Sequence, residues 1–494
     1  MTAIPKVKRV RGAQLLRSVC VFALFFLSML FIIFAMIAIN DPSGWLGFIR
    51  ENYSRMISLL VCTFLLYCIV YFYYYFEDAQ FLTRTRNVAL VFLIFDVAVI
   101  LSFVFGKYIS IYARPSAMLA LLCLFLFNRR QAIMFNFVYS LLMFVIDTYT
   151  NNFVESGWMN AMYFSLMISF VCGTFSVFVG GAVKTRGGLL LTGTFISIPT
   201  VAIVLLLELS ELAHLGWIQV VASAGFGILG CMCSAILTLA LLPVFEVMFN
   251  RLTVFRLREL TRTDAKLLMQ LKTEAPGTFN HSLIVAQLAE ACALALGENS
   301  ELARAAAYYH DVGKLKQPDC FTENQNGYNI HDELTPELSA DIIRSHTKDG
   351  YDLLVANHMP ELFADVAREH HGTLPIKYFY AKALKLTGGD ADVKDYSYLG
   401  PTPRTKIAAI IMIADASEAA VRSSPDRSAE NVEKIVRGII EERMDLNQFD
   451  NCDITMRELT TIKQVIVAAL SGVHHHRVEY PAIRFHRGGS VDEE

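Results

Sequence analysis

Charge is scarce in this chain. Only 18% of its 494 residues are Asp, Glu, Lys or Arg, against 54% hydrophobic residues. With a mean hydropathy of +0.43, that composition excludes an ordinary soluble protein. No excess of positive charge is present either: the formal net charge is −3, and the basic stripe expected of a protein that binds a nucleic-acid polymer is missing. The ten cysteines contain no CxxC pair, which removes zinc ribbons and thioredoxin-type sites. Seven of them (Cys20, Cys62, Cys68, Cys123, Cys172, Cys231 and Cys233) lie in apolar runs, and no disulfide framework is suggested. There is no internal repeat and no series of charges along the apolar runs, so nothing resembles a transporter.

What is present divides the chain in two. Nearly all long apolar runs fall before residue 250, and charges recur every few residues after it. A membrane span needs about 20 apolar residues. Candidates lie at 15–38, 57–76, 88–106, 112–128, 131–148, 160–182, 188–208 and 218–247, the fourth and fifth being short and parted only by Arg129 and Arg130. This pattern predicts a cytosolic N-terminus (1–14), a first anchor (15–38) and a seven-helix region (57–247). The first run is longer than a signal-peptide core, which favours an uncleaved anchor. If the N-terminus is cytosolic, the inner side carries fourteen basic residues: Lys6, Lys8, Arg9, Arg11, Arg17, Arg84, Arg86, Arg129, Arg130, Lys184, Arg186, Arg251, Arg256 and Arg258. The outer side carries Arg50, Arg55, Lys107 and Arg114. The bias sets the orientation and leaves the domain after residue 250 in the cytosol. Asp96, in the middle of LVFLIFDVAVI, has two readings: a functional intramembrane carboxylate, or one hydrogen-bonded inside the bundle.

The second half reads as a linker helix (248–277), an all-helical domain (278–482) and a disordered tail (483–494). Helical spacing marks 280–296, ended by Gly297, and 301–309 with Ser300 as its cap. Further helices are expected near 335–357, 360–370, 405–423, 429–445 and 456–473, with a Gly-, Pro- and Asp-rich loop at 386–404. Placed on these helices, His281, the pair His310-Asp311, His346, the pair His370-His371 and Asp415 fall at helix ends or on amphipathic faces, pointing into one bundle core. Five histidines and two carboxylates are too many buried polar groups to be satisfied by chance, whereas a metal ion compensates them. Seven ligands exceed the needs of one ion. A bridging carboxylate with three partners on each side accommodates two, and Asp311 is the natural bridge. Two metals about 3.5–4 Å apart clamp the oxygens of a phosphoryl displacement and turn a bridging water into hydroxide near neutral pH.

The stretches APGTFNHSL, YYHDVGKLK, FTENQNGYNIHDELTPELSADIIRSHTKDG, REHHGTLPIKYFY, ADASEAAVRS and HRVEYP resemble the HD-domain phosphohydrolases, most closely the membrane-bound 7TM-HD class that hydrolyses cyclic di-AMP. The likeness runs over 245–482, and NRR at 128–130 also looks like that family's membrane region. The resemblance implies an all-α fold, a helical membrane bundle followed by a cytosolic HD domain, and a phosphodiesterase that converts cyclic di-AMP to linear pApA with metal-activated hydroxide. It assigns His281, His310, Asp311 and Asp415 to one metal, and Asp311, His346, His370 and His371 to the other. The two divalent ions would be iron or manganese, and zinc is compatible. The implied partners are the cyclic dinucleotide and the lipid bilayer, with no nucleic-acid polymer and with a homodimer left open.

Departures from the family pattern touch none of these ligands. About 18 residues (39–56) stand where a large extracellular domain is expected. Ser397, Leu399 and Thr402 replace Arg, Pro and Lys, and Ile330 replaces Pro. Lys314 reads either as a catalytic cation stabilising phosphate charge or as a solvated helix-end lysine; Lys348 and Arg422 are lesser candidates for that role. Tyr378 and Tyr380 read as adenine-stacking residues or as core. His331 suits loop capping, and His474, His475 and His476 point in three directions rather than at one ion. Two alternatives stand beside the enzyme. The first is a cyclic di-GMP phosphodiesterase of the HD-GYP kind, although HHGTLPIKYFY lacks the GYP. The second is a membrane receptor that binds nucleotide without turnover.

Overall fold

The computed structural model describes residues 12–40, 46–47, 50, 53–149, 158–210, 216–325, 327–472, 484–485 and 491–492. His474, His475 and His476 lie outside them. The chain divides into two compact units, Met1–Arg256 and Leu257–Glu494, and both are helical.

The first unit holds α1 (Gly12–Asn40), α2 (Tyr53–Glu77), a short α3 (Ala79–Thr83), α4 (Thr85–Tyr108), α5 (Met118–Leu126), α6 (Arg129–Tyr149), α7 (Trp158–Gly180), α8 (Arg186–Ser210) and α9 (Trp217–Met248). Of these, α1, α2, α4, α6, α8 and α9 are long and apolar enough to cross a membrane, and α7 is apolar over Leu166–Gly180. The candidate at 112–128 is not one continuous helix. Ser110 caps a single 3-10 turn, Ile111–Ala113, and Arg114 then goes extended at φ −58°, ψ 135°, because Pro115 bars the α conformation from the residue before it. Only nine residues of α5 follow. Met118 through Cys123 are all buried, so the non-helical entry is enclosed by protein, which is where a membrane tolerates irregular backbone. Gly230 of α9 makes that enclosure close: a Cβ there would lie 2.7 Å from the carbonyl oxygens of Tyr112 and Arg114.

Two buried carboxylates of this unit have partners within it. Arg114 donates two hydrogen bonds to Asp147, at 2.6 and 3.0 Å. Asp96 accepts from Ser28 Oγ (2.8 Å) and Tyr67 OH (3.2 Å), so its carboxylate is hydrogen-bonded inside the bundle.

The second unit is built from α11 (Lys266–Glu274), α12 (Pro276–Leu296), α13 (Ser300–Tyr309), α14 (Pro336–Ala356), α15 (Glu361–Glu369), α16 (Lys377–Thr387), α17 (Lys406–Ser423), α18 (Ala429–Asp445) and α19 (Met456–Gly472). The stretch expected as a linker helix carries two helices, α10 (Val254–Leu260) and α11. α12 opens with Pro276 in its first turn and closes on Gly297 at φ 72°, the left-handed C-terminal stop. Asn299, rather than Ser300, caps α13, its side chain accepting from Leu302 N. α17 is the centre of the domain: Ile407 through Asp415 are buried, and α12, α15, α18 and α19 pack around it. Within the tail expected to lack structure, Arg484 pairs with Asp492 and Phe485 with Val491 in a short antiparallel ladder.

Candidate metal centre

Five elements aim polar side chains at one point. His281 lies in the second turn of α12, His310 and Asp311 follow α13, His346 is in the middle of α14, His370 and His371 follow α15, and Asp415 sits on the buried face of α17. After α13 the chain enters a 3-10 turn, Val312–Lys316. It is pressed so tightly against α14 that a Cβ on Gly313 would fall 2.0 Å from the His346 carbonyl oxygen. This turn brings Lys314 back over Asp311.

Asp311 is central. Its Oδ2 lies 3.4 Å from His310 Nε2 and 3.7 Å from His281 Nε2, while its Oδ1 lies 3.3 Å from His346 Nε2 and 3.5 Å from His370 Nε2. Asp415 Oδ1 faces His281 Nε2 at 2.9 Å and His310 Nε2 at 3.8 Å, and its Oδ2 faces His371 Nδ1 at 3.7 Å. Two ligand groups result, Asp311-His346-His370-His371 and His281-His310-Asp415. All seven residues singled out in the sequence therefore meet in one place.

The donor chemistry fits cations. His310, His346 and His370 each hand Nδ1–H to a backbone carbonyl, of Ala307 (2.7 Å), Ile343 (2.6 Å) and Ala367 (2.9 Å). Their Nε2 lone pairs are thereby turned inward, the arrangement expected of ligating imidazoles. His310 Nε2 and Asp311 Oδ1 are buried atoms without a hydrogen-bond partner, and a positive ion would satisfy both.

Charges are arranged around this point by burial and by neighbours. Burial opposes a proton on His310, but Asp311 and Asp415 outweigh it and push the imidazole up to about 10. Burial dominates at His346, pushed down to about 4, and at His371, where His370 adds to the lowering. Asp311 is held well below the usual carboxylate range against its burial, by Lys314 and His310. The Lys314 ammonium pairs with Asp311 Oδ2 and with Glu323 Oε1, each at 2.7 Å, and lies over the Phe321 ring. It is a largely buried cation fixed between carboxylates, not a solvated helix end.

Several contributors escaped the sequence reading. Glu418, one helical turn after Asp415, accepts from His281 Nδ1 at 2.5 Å; its i+3 spacing from a candidate ligand was the available signal. Glu323 anchors Lys314. Tyr398 stacks on His371, with ring centroids 4.3 Å apart and planes at 22°. His371 is the most exposed of the seven, its side chain 22% accessible, and so marks the open edge of the cluster. Arg404 ties that loop to Glu369, next to His370. Of the other candidates, His331 Nε2 donates to the Cys320 carbonyl and stays apart from the cluster. Tyr380 packs on Tyr396, Tyr378 is exposed, and Arg422 stands 3.6 Å from Glu418.

An apolar helical bundle followed by a helical domain with clustered His and Asp side chains is the pattern of a class: multi-pass membrane proteins that carry an HD domain. Residues 53–253 match the family described as "7TM receptor with intracellular HD hydrolase", and residues 278–420 match "HD domain". In both of its halves the chain is similar to this 7TM-HD family. It is 45% identical over 297 residues to the cyclic-di-AMP phosphodiesterase PgpH of Listeria monocytogenes, covering 60% of this chain and 41% of that one. To the cyclic-di-AMP phosphodiesterase PgpH of Bacillus subtilis it is 36% identical over 437 residues, covering 86% and 59%. It thus spans less than two thirds of the length of either relative. The crystal structure of the L. monocytogenes PgpH HD domain in complex with cyclic-di-AMP is 49% identical, covering 44% of this chain and 100% of that chain, with a TM-score of 0.42.

Proposed function

We propose that the chain is a metal-dependent phosphodiesterase that opens a cyclic dinucleotide, converting cyclic di-AMP to linear pApA on the cytosolic side of the membrane. The observation that carries this reading is Asp311, whose two oxygens face two separate sets of ligands. On one side stand His281, His310 and Asp415, and on the other His346, His370 and His371. This is a place for two divalent cations, manganese or iron. Bound there, such a pair would activate water and polarise the phosphoryl oxygens.

The chain's own residues then have defined work. Nδ1–H bonds to backbone carbonyls hold the rings of His310, His346 and His370 in position. Lys314, held by Glu323, fixes Asp311 and balances its charge. The edge formed by His371 and Tyr398 is open, so the phosphodiester enters there. Hydrolysis adds one water across a P–O3′ bond, leaving a 5′-phosphate and a free 3′-hydroxyl. The choice of nucleotide is supported by the two relatives of that printed activity.

The test uses the full chain purified in detergent and supplied with Mn²⁺. Cyclic di-AMP and cyclic di-GMP are incubated with it separately and products followed by chromatography, with Asp311→Ala as control. Conversion of cyclic di-AMP alone, lost in the variant, is expected. Binding of cyclic di-AMP without turnover would make the protein a receptor, and equal conversion of cyclic di-GMP would remove the substrate assignment.

A further inference from the structure

The two sides of the cluster are supported differently. His346 and His370 pass their Nδ1–H to neutral backbone carbonyls, and His371 Nδ1 stands 3.7 Å from Asp415, beyond hydrogen-bond reach. On that side the shared Asp311 is the only carboxylate among the ligands. The other side has Asp415 of its own, and behind His281 stands Glu418, a buried carboxylate at 2.5 Å from Nδ1. A carboxylate in that position fixes the ring and makes its other nitrogen a stronger donor to a cation. Two nearby cations bear on this difference. Lys314 touches Asp311 Oδ2, but it is shared with Glu323. Arg422 lies 3.6 Å from Glu418 Oε1 and is substantially exposed, so solvent screens its effect.

We propose that Glu418 makes the two cation positions unequal, so that the position of His281, His310 and Asp415 fills first and holds its ion more tightly. Glu418 is a positioning residue that acts through His281. The inference rests on the dinuclear reading above and adds an order of loading to it: one ion resides firmly, and the second, beside the partly exposed His371, exchanges with solution.

The experiment strips the full chain in detergent with a chelator and adds Mn²⁺ stepwise, following paramagnetic resonance and calorimetry together. Up to one equivalent, the six-line spectrum of an isolated Mn²⁺ is expected, giving way to a spin-coupled pair only as the second equivalent binds. Glu418→Gln keeps the size and the hydrogen bond but removes the charge; it should weaken the first step about 10–100-fold and leave the second unchanged. A coupled spectrum from the first fraction of an equivalent overturns the order of loading, with no need of the variant. A loss shared equally by both steps, or confined to the second, overturns the role of Glu418. A chain that binds no Mn²⁺ in either position removes the dinuclear reading itself.

Discussion

When no cation is bound, His310 keeps a proton because Asp311 and Asp415 outweigh its burial, with its pKa pushed up to about 10 from an ordinary 6.5. A metal ion entering the site displaces that proton. Apparent metal affinity should therefore rise with pH from neutrality towards 10, by about tenfold per unit from this one group. Calorimetry in buffers of different ionisation enthalpy counts the protons released. The same groups set the stability of the chelated protein. For His310, raised in the fold, the favourable contribution is complete below pH 6.5 and is lost as pH climbs to about 10. For His346, lowered to about 4, it is complete above 6.5 and is lost as pH falls to about 4. Melting temperatures of chelated protein should peak near pH 6–7, and saturating Mn²⁺ should abolish the alkaline decline. A monotonic profile would contradict these assignments. Lys314 provides a separate check. Lys314→Met leaves Asp311 and Glu323 buried without their cation and should cost about 3–5 kcal/mol in chelated protein. The loss measured by thermal melts should shrink when Mn²⁺ takes over the charge of Asp311.

At the scale of elements, local chemistry in the chain was readable wherever one residue decides the backbone. Gly297 ends α12, the pattern of IAAIIMIADASEAA marks a buried helix, and the boundaries of α14, α15, α17 and α18 fall within a residue or two of their expected places. The cap of α13 moved by one residue because Asn299 and Ser300 are both good caps, and only the accepted bond from Leu302 N separates them. The interrupted entry to α5 was harder to read. Its cause, Pro115, is local, but what permits it is the contact with Gly230, more than a hundred residues away. The 3-10 turn at Val312–Lys316 depends likewise on α14. Gly313→Ala places a methyl group against the backbone at His346 and Gly350. It should destabilise the domain by about 1–3 kcal/mol or more and lower metal affinity at the same time, since the turn also sets Asp311. A variant that keeps both stability and metal affinity would show that the contact relaxes freely.

For the whole molecule, composition alone separated an apolar half from a charged one, and the boundary between the two compact units, at Arg256, lies close to the change in composition. The clustering of the seven His and Asp residues was legible because such side chains are costly in apolar helices and must be explained. Glu418, Glu323 and Tyr398 were not, because each has its meaning only through a neighbour brought close by folding. Two compact units with separate cores predict two thermal transitions in detergent. Mn²⁺ at a hundred times its dissociation constant should stabilise one of them by about 2.7 kcal/mol and leave the other in place. A single transition that shifts as a whole would mean that the units unfold together.

The ligands of the centre are also spread along the chain, His281 and Asp415 being 134 residues apart. During synthesis, a ribosome that has made everything up to the loop before α17 has produced five imidazoles and one carboxylate, but neither Asp415 nor Glu418. Such a nascent chain contains all four residues of one group, Asp311, His346, His370 and His371, but lacks the carboxylate that completes the other with His281 and His310. The group of His281, His310 and Asp415 is accordingly completed late in synthesis, and a product truncated before α17 leaves the ribosome unable to assemble the whole cluster.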